Sequence, residues 1–307
     1  MTTHPYLLVD AFTTTALGGN PCAVVLDADP LDEATMQSIA REMNLSETAF
    51  VLRSQRADVG ARYFTPTLEV PLAGHPTIAT MAALLAARRL PATVGDASDG
   101  GATITTTLTL ELKAGVITVE ITSGGQGLPL ITMLQPAPRF LRVYEPSEML
   151  APFGLEPDDL LPDAPIQTVS TGTPQLMVPV RDHDALRRVT LDVTPYQTLR
   201  NAGDFFSPHF FCLQGATPQG QTFARHFVPP GVSEDPATGS ATGGMAAYLW
   251  RYGLITSPRF TAEQGHWIQR PSIMQVEVIG EPTAITGVKV GGSAVPLIEG
   301  RLTLPGK

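Results

Sequence analysis

The sequence contains little charge and little cysteine. Charged residues make up 16% of its 307 residues, and the formal net charge is −9 at pH 7. With no lysine- or arginine-rich run, this balance argues against nucleic acid or an acidic membrane surface as a partner. Only two cysteines occur, Cys22 and Cys212, each beside apolar strand-like residues. We therefore predict two buried thiols in a reducing cytoplasm.

Long hydrophobic runs are also absent. The longest apolar stretch, Thr77–Ala87, is too short to cross a bilayer. The N-terminal segment has no basic region followed by a long apolar core, which argues against a signal peptide. The six histidines show no HxH or HExxH spacing, which argues against a metal site. We predict a cytoplasmic protein with no membrane partner and no bound metal.

The chain is long enough to form two domains. Its strongest linker candidate is the glycine-rich segment Ser123–Gly127. We therefore predict an N-terminal half at residues 1–124 and a C-terminal half at residues 128–307. The pattern leaves open whether the last strand returns to the N-terminal half. An exposed loop is predicted at Pro91–Gly101.

Two helix starts are candidate anion-binding turns. Glu234–Gly244 (EDPATGSATGG) joins two acids to a turn rich in glycine and hydroxyl groups, and an Ala-rich apolar segment follows. Gly74–Thr77 (GHPT) opens a helix predicted at Pro76–Leu90, with Pro76 at its first position and His75 near the N-cap. Free backbone N–H groups at such helix starts favour an anionic ligand. Because both segments are mostly apolar, we predict that the two helices are buried.

The second half of the sequence repeats the pattern of the first. The matches, which occur in the same order in both halves, are Asn20–Leu26 with Thr173–Val180, Ala49–Leu52 with Phe210–Leu213, Arg62–Pro66 with Arg225–Pro229, and Gly74-His75 with Gly239-Ser240. This order predicts a duplicated domain. Because helices alternate with strands too sparsely for a doubly wound parallel sheet, we predict an α+β fold in which each domain wraps a sheet around one buried helix.

The two halves differ at positions that proton-transfer chemistry would use. In this alignment the matched pairs are Glu47 with Pro208, His75 with Ser240, and Val70 with Asp235. A glutamate, a histidine, an aspartate and a serine at one site can move a proton, and a buried glutamate can act as both acid and base. Two helix starts lining an interdomain cleft would bind a small carboxylate substrate, with Gly74 and Gly239 beside it. Ordinary helix caps without a ligand, and a solvated turn acid at Glu47, are the alternatives.

Several short motifs resemble those of one known family. The matching segments are D-A-F at Asp10–Phe12, G-N-P-x-A-V at Gly19–Val24, S-E-T-A-F at Ser46–Phe50, G-H-P-T at Gly74–Thr77, E-D-P-A-T-G-S-A at Glu234–Ala241, V-G-G-S-A-V at Val290–Val295 and E-G at Glu299-Gly300. They extend over essentially the whole chain. The set resembles the PhzF family of phenazine-biosynthesis-type isomerases, which is related in fold to diaminopimelate epimerase.

The resemblance implies two pseudo-symmetric domains, each a barrel-like mixed sheet around a central helix, with the site between them. Glu47 matches the catalytic acid/base of the family. His75 and Asp235 match groups that tune its protonation and hold the amino acid end of the substrate. The positions that match substrate-binding residues are Gly74, Gly239 and Ser240.

The implied activity is a cofactor-free isomerisation in a biosynthetic pathway, carried out by a homodimer. A proton leaves one carbon of a small cyclic or unsaturated amino acid, such as a dihydro-hydroxyanthranilate, and returns to another. One departure from the family pattern is visible, because Gln269 precedes Arg270-Pro271-Ser272 where the family often has glycine. This departure bears on the identity of the substrate rather than on the chemistry.

Other functions fit the residues less well. A cysteine-pair racemase needs a thiol at each helix start, where this sequence has His75 and Ser240. A serine hydrolase would need a G-x-S-x-G turn around Ser240, and the glycines of Gly239–Gly244 miss the dinucleotide-binding pattern. The alternative that the sequence leaves open is a carboxylate-binding protein with the same cleft and no turnover.

Overall fold

The computed structural model of the protein describes residues 1–91, 103–124, 127–228 and 233–304. The chain divides into two compact units, the first comprising Met1–Leu134 with Gly291–Lys307 and the second Gln135–Val290. The first unit extends past the predicted linker Ser123–Gly127, of which residues 125 and 126 lie outside the described part of the chain. Residues 92–101 of the loop predicted at Pro91–Gly101 also lie outside the described part of the chain.

Strands dominate the secondary structure of both units. In chain order up to the unit boundary, the elements are β1 (Thr2–Ala11), β2 (Asn20–Val25), α1 (Glu33–Met43), β3 (Glu47–Leu52), β4 (Val59–Phe64), β5 (Glu69–Val70), α2 (Gly74–Ala86), β6 (Ile104–Leu112), β7 (Gly115–Ser123) and β8 (Leu130–Gln135). The elements that follow are β9 (Arg139–Tyr144), α3 (Pro146–Met149), β10 (Ile166–Ser170), β11 (Pro174–Pro179), α4 (His183–Arg188), α5 (Val193–Ala202), β12 (Ser207–Cys212), β13 (Thr222–Val228), β14 (Ser233–Glu234), α6 (Gly239–Arg251), β15 (Arg259–Gln264), β16 (Ser272–Glu281), β17 (Ala284–Gly292) and β18 (Ala294–Leu304).

The sheet of the first unit is mixed. Its strands are paired in the order β18–β1–β2–β3–β4–β6–β7–β8, with β5 added to β4. The β2–β3 and β4–β6 pairs are parallel, and the other pairs are antiparallel. The last strand, β18, pairs with β1 from Thr2↔Leu304 to Ala11↔Ala294. It therefore completes the first unit, the arrangement that the sequence left open.

The sheet of the second unit follows the same plan. Its strands are paired in the order β9–β10–β11–β12–β13–β15–β16, with β14 added to β13. The β11–β12 and β13–β15 pairs are parallel, as their counterparts are in the first unit. Thus the two halves repeat both strand order and strand direction.

Each unit has one buried helix at its centre. Helix α2 contacts β1, β2, β3 and β18, whereas α6 contacts β10, β11 and β16. Both helices are buried along most of their length, which their small and apolar residues permit. This confirms the predicted α+β fold. No helix in the described ranges is long and apolar enough to span a bilayer.

Helix α2 starts earlier than the sequence predicted. Its N-cap is Ala73 in an extended conformation, so Gly74 is the first helical residue and Pro76 the third. Proline is tolerated there because the N–H groups of the first turn have no partner within the helix. His75 is therefore inside the first turn rather than at the N-cap, and the helix ends at Ala86 rather than Leu90.

Strand pairing fixes the correspondence between the two units. In the first unit Arg62 of β4 pairs with Phe50 of β3. In the second unit Arg225 of β13 pairs with Phe210 of β12. Since the two arginines match in the sequence repeat, the two phenylalanines occupy equivalent positions.

This register corrects two predicted matches. Ala49–Leu52 corresponds to His209–Cys212 rather than to Phe210–Leu213. Three residues before each phenylalanine, Glu47 is equivalent to Ser207, so its predicted match with Pro208 is wrong by one residue. The neighbouring strands agree, because Cys22 lies beside Glu47 and Gln175 lies beside Ser207 in the parallel pairs. A shift of one residue moves a side chain to the opposite face of a sheet. Ser207 therefore occupies, in the second unit, the position that carries the carboxylate in the first.

The match between Val70 and Asp235 is confirmed. Val70 pairs with Tyr63 across β4 and β5. The backbone N–H of Asp235 donates to the carbonyl oxygen of His226 at 2.9 Å, and His226 is the equivalent of Tyr63. The second unit thus has a carboxylate where the first has an apolar side chain.

Candidate active site

Glu47 is placed at the start of a strand by a tight turn. Helix α1 ends at the C-cap Asn44, which has a left-handed backbone (φ 51°) and donates its N–H to Ala40. Strand β3 begins three residues later, with Glu47 as its first residue. The Glu47 side chain is 19% exposed, whereas most of β3 is buried. The carboxylate is therefore partly open to solvent, at the beginning of a strand that is paired on both sides.

His75 lies against Glu47. The distance from His75 Nε2 to Glu47 Oε2 is 3.3 Å, and only 5% of the His75 side chain is exposed. On the other side of the ring, Nδ1 lies 3.4 Å from Nδ2 of Asn20, which can only donate. Nδ1 is therefore the acceptor, and the proton of the neutral imidazole is on Nε2, facing Glu47.

Burial controls the protonation of the groups around Glu47. It lowers the pKa of His75 to about 3, so the imidazole is neutral at pH 7. Burial, and then the charge of Glu47, raise the pKa of the Cys22 thiol far above its ordinary value. Cys22 therefore stays protonated and is neither a base nor a nucleophile. Both cysteines are free and buried, as the sequence predicted.

The first turn of α2 is held by the hydroxyl groups of Thr77 and Tyr63. No side chain caps the helix at Ala73. Instead, the Thr77 hydroxyl donates to the Ala73 carbonyl at 2.8 Å, and the Tyr63 hydroxyl lies 3.0 Å from Thr77 Oγ1. Since the Thr77 proton is directed to Ala73, Tyr63 is the donor in that contact. The backbone N–H groups of Gly74 and His75 are then at a helix start that favours an anion.

The second unit positions Asp235 in a comparable turn. Asp235 follows β14, is 7% exposed, and accepts a hydrogen bond from Thr238 Oγ1 at 2.5 Å. Helix α6 begins at Gly239, with Thr238 as an N-cap whose side chain does not cap the helix. Ser240, the second helical residue, is half-buried. This turn presents a carboxylate, a hydroxyl and a helix start together.

A buried glutamine supports the start of α6. Gln135 Nε2 donates to the Gly239 carbonyl at 2.8 Å, while its Oε1 accepts from the Thr171 hydroxyl at 2.5 Å. A Cβ at Gly243 would lie 1.9 Å from Gln135 Oε1, so only glycine leaves room for this side chain. The glycine-rich sequence of the helix thus serves packing as well as the turn.

The predicted site residues therefore fall into two groups, one in each unit. Glu47, His75 and Gly74 belong to the first, with Glu47 and His75 in direct contact. The group in the second unit consists of Asp235, Gly239 and Ser240. Within the described ranges, no three histidine, cysteine or acidic side chains are grouped so that they could hold a metal ion.

Sequence reasoning missed three residues of these groups. In the first unit, Asn20 contacts the ring of His75. In the second unit, Thr238 donates to the Asp235 carboxylate, and Gln264 donates to the backbone of the turn that joins Asp235 to Thr238. Two of these had a visible signal, because Asn20 is in the G-N-P motif and Thr238 is in E-D-P-A-T-G-S-A. Gln264 belongs to no motif, and only the pairing of a distant strand brings it to the turn.

Comparisons with known proteins agree on one family. A family model described as phenazine biosynthesis-like protein matches residues 9–300. The trans-2,3-dihydro-3-hydroxyanthranilate isomerase of Pseudomonas fluorescens is 35% identical over 304 residues, covering 98% of this chain and 100% of that protein. A PhzF-family phenazine biosynthesis protein of Bacillus anthracis aligns with a TM-score of 0.86 at 32% identity, covering 99% and 100% of the two chains. A structure described as a predicted epimerase from Pseudomonas aeruginosa aligns with a TM-score of 0.80 at 31% identity, covering 98% and 100%.

Proposed function

The chain belongs to the PhzF family of phenazine biosynthesis-like isomerases, and we propose that it moves a proton between two carbons of a small cyclic or unsaturated amino acid without a cofactor. Its relatives that align with nearly the whole chain are named as isomerases, so the chain is an isomerase. The proposal adds the type of substrate, the residues and the route of the proton.

The contact between Glu47 and His75 carries this proposal. A partly exposed carboxylate lies 3.3 Å from a buried imidazole nitrogen, and burial keeps that imidazole neutral. Because burial keeps the imidazole neutral, it does not form a charged pair with Glu47, whose carboxylate can accept a proton and release it.

Glu47 is the proposed proton carrier. Its carboxylate takes a proton from one carbon of the substrate, and the electron pair of that C–H bond shifts into the adjacent allylic system. The proton on the resulting Glu47 carboxylic acid can exchange with solvent, and the acid then returns a proton to the carbon at the far end of that system. The double bond has moved, no atom is lost, and the enzyme is restored. General acid–base catalysis of this kind contributes about 10²- to 10⁴-fold to a rate.

The other site residues hold the substrate in this proposal. The substrate carries a carboxylate, which the uncapped helix starts at Gly74 and Gly239 favour. Asp235 is suited to an ammonium or amino group, and Ser240 can donate or accept a hydrogen bond. Trans-2,3-dihydro-3-hydroxyanthranilate, named for the Pseudomonas fluorescens relative, is the first compound to test.

The decisive experiment follows proton exchange into the substrate in D₂O by NMR. The wild type should incorporate deuterium into trans-2,3-dihydro-3-hydroxyanthranilate or into another member of a panel of cyclic and unsaturated amino acids. Glu47→Gln should lower the exchange rate by about 10²-fold or more while substrate binding stays nearly intact. The matched control is Glu42→Gln on the exposed surface of α1, which should exchange as the wild type does.

Two results would overturn the proposal. Unchanged exchange in Glu47→Gln would remove Glu47 from its role. Binding of a panel member to the wild type without any exchange would instead favour a carboxylate-binding protein that lacks turnover.

The family resemblance also supports a homodimer, and the composition supports a cytoplasmic location. Both belong to the proposal. Light scattering of the purified chain tests the first, since a monomer at working concentrations would contradict it. Fractionation of the source cells tests the second.

A further inference from the structure

We propose that Gln264 is a positioning residue that holds Asp235 in place through Thr238. This inference rests on the proposed role of Asp235 in binding the substrate. Gln264 is the last residue of β15 and is completely buried. Its side chain contacts the turn between β14 and α6, the turn that carries Asp235.

One amide group holds both ends of this turn. Gln264 Nε2 donates to the backbone carbonyl of Asp235 at 2.6 Å and lies 3.1 Å from Thr238 Oγ1. Gln264 Oε1 accepts from the backbone N–H of Thr238 at 3.2 Å. A carbonyl can only accept and an N–H can only donate, so these contacts fix the orientation of the amide. The positions of residues 235 and 238 are thereby tied to the sheet.

The amide also directs the Thr238 hydroxyl. Because Thr238 Oγ1 accepts from Gln264, its own proton is free to point at Asp235 Oδ2, which lies 2.5 Å away. The Asp235 carboxylate is therefore oriented by a chain of two hydrogen bonds that begins at Gln264. A buried amide needs hydrogen-bond partners of its own, but those partners do not have to include a hydroxyl that binds Asp235.

The backbone next to Gln264 is adapted to the same contact. Gly265 has a positive φ of 79°, and a Cβ there would lie 2.3 Å from the carbonyl oxygen of Arg270 and 2.6 Å from that of Pro236. The end of β15 therefore approaches the turn more closely than a residue with a side chain would allow. Gln264 and the residue that follows β15 are thus both fitted to the Asp235 turn.

The first unit provides a natural comparison. Strand pairing makes Leu112 of β6 the equivalent of Gln264, because Val59 pairs with Leu110 where Thr222 pairs with Ala262. The matched positions are Val70 with Asp235, Ala73 with Thr238, and Leu112 with Gln264. All three are apolar in the first unit and polar in the second. The glutamine occurs where the aspartate occurs, which is expected if it serves the aspartate.

The test compares two buried glutamines of the same unit. Gln264→Met removes the three contacts while keeping the volume of the side chain. Its matched control is Gln167→Met, since Gln167 is 5% exposed and its amide binds the Leu141 carbonyl at 3.0 Å and the Tyr252 hydroxyl at 2.8 Å. Both variants should lose similar stability in urea. Only Gln264→Met should lower kcat/KM for the substrate, by about 10- to 100-fold, because a shift of about 1 Å in a positioning group has effects of that size.

A double-mutant cycle separates positioning from a general loss of structure. If Gln264 acts through Asp235, then Gln264→Met combined with Asp235→Asn should have the same kcat/KM as Asp235→Asn alone. Losses that multiply in the double variant would overturn the inference. So would a Gln264→Met enzyme with the kcat/KM of the control.

A readout without turnover separates this inference from the proposed function. Amide hydrogen exchange at Thr238 should be faster in Gln264→Met than in the wild type and unchanged in Gln167→Met. Faster exchange supports the inference even if no compound is isomerised, a result that would overturn only the proposed function. Unchanged protection at Thr238 would overturn the inference even if the wild type is an active isomerase.

Discussion

The two units share a framework and differ in the polar groups attached to it. In each, a central helix begins at a glycine inside a mixed sheet of the same strand order, and an arginine of the equivalent strand binds a glutamate. Those ion pairs are Arg62 with Glu69 at 2.7 Å and Arg225 with Glu234 at 2.8 Å. The polar sets that differ are Glu47, His75 and Asn20 in the first unit and Asp235, Thr238 and Gln264 in the second.

Each set is missing from the other unit. The equivalents of the first set are Ser207, Ser240 and Thr173, and those of the second set are Val70, Ala73 and Leu112. The strand order, the glycine at the helix start and the arginine–glutamate pair support the fold, and both units have them. The sets that differ place one acid beside a neutral imidazole and the other inside a network of hydrogen bonds. Under the proposed function, one copy of the duplicated scaffold carries proton transfer and the other positions the substrate.

The largest effect is expected when a glutamate is introduced into the second unit at Ser207, the position equivalent to Glu47. Ser207 is completely buried, and its hydroxyl binds Gln175 at 2.7 Å and His226 at 2.9 Å. Ser207→Glu would add volume and a charge to a site with no access to water. We expect the free energy of unfolding in urea to fall by about 3 kcal/mol or more.

The matched control for this substitution is Ser46→Glu. Ser46 is exposed on the turn that precedes Glu47, so the same change there should alter the free energy of unfolding by no more than about 0.5 kcal/mol. Equal losses in the two variants would contradict the difference in burial between Ser207 and Ser46.

A smaller effect is expected from exchanging Asn20 and Thr173, the equivalent residues that precede a proline in each unit. Asn20 is completely buried and sets the tautomer of His75, whereas its equivalent Thr173 is half-buried. Asn20→Thr removes the donor to Nδ1, so the imidazole proton no longer has to face Glu47. We expect kcat/KM to fall by about 10-fold, because a positioning contact is lost while Glu47 remains. Thr173→Asn should leave kcat/KM unchanged, and an equal fall in both variants would count against the role of Asn20.

The smallest effect concerns the pH dependence of stability. His209 and His226 lie side by side in the second unit, with their Nδ1 atoms 3.3 Å apart. Burial lowers the pKa of His226 to about 3, and burial with the neighbouring His226 charge lowers that of His209 well below its ordinary value. The folded pKa values lie below the unfolded ones, so stability is highest above about pH 6.5 and is lost as the pH falls toward 3.

His209→Ala tests this, because the first unit has Ala49 at the equivalent position. Between pH 7.5 and 5.5, each such histidine should cost about 1 kcal/mol of unfolding free energy. The variant should therefore lose about 1 kcal/mol less than the wild type over that range in urea denaturation. Phe211→Leu on the same strand creates a cavity without a titrating group and should keep the wild-type pH dependence. A wild-type dependence in His209→Ala would contradict the prediction.

The sequence was most informative where function requires particular residues close together in the chain. The motifs around Glu47 and His75 predicted two residues that the structure places 3.3 Å apart, although 28 positions separate them in the sequence. The repeat predicted the architecture, since four matches in one order are hard to explain without a duplicated fold. The helix at Gly74 was predicted two residues late, because proline is accepted throughout the first turn.

What the sequence could not supply depends on register and on distant strands. Glu47 was matched with Pro208 because sequence similarity alone does not fix which residues face each other across a ladder. Gln264 reaches Asp235 only because β13 and β15 are parallel neighbours. Strand β9 was not predicted from the sequence, because Arg139 and Arg142 interrupt the alternation of apolar and polar residues that marks a half-buried strand.

The pairing of β1 with β18 has a consequence for the order in which the chain is built. A ribosome releases β1 before the second unit and β18 after it, so one edge of β1 stays open while the second unit is synthesised. The second unit is encoded by one uninterrupted stretch, Gln135–Val290, and can close its sheet earlier. Contacts between distant parts of a chain are also slow to form, and an open strand edge can pair with other chains in the meantime. The unit that carries Glu47 is therefore the first to be synthesised and the last to be finished.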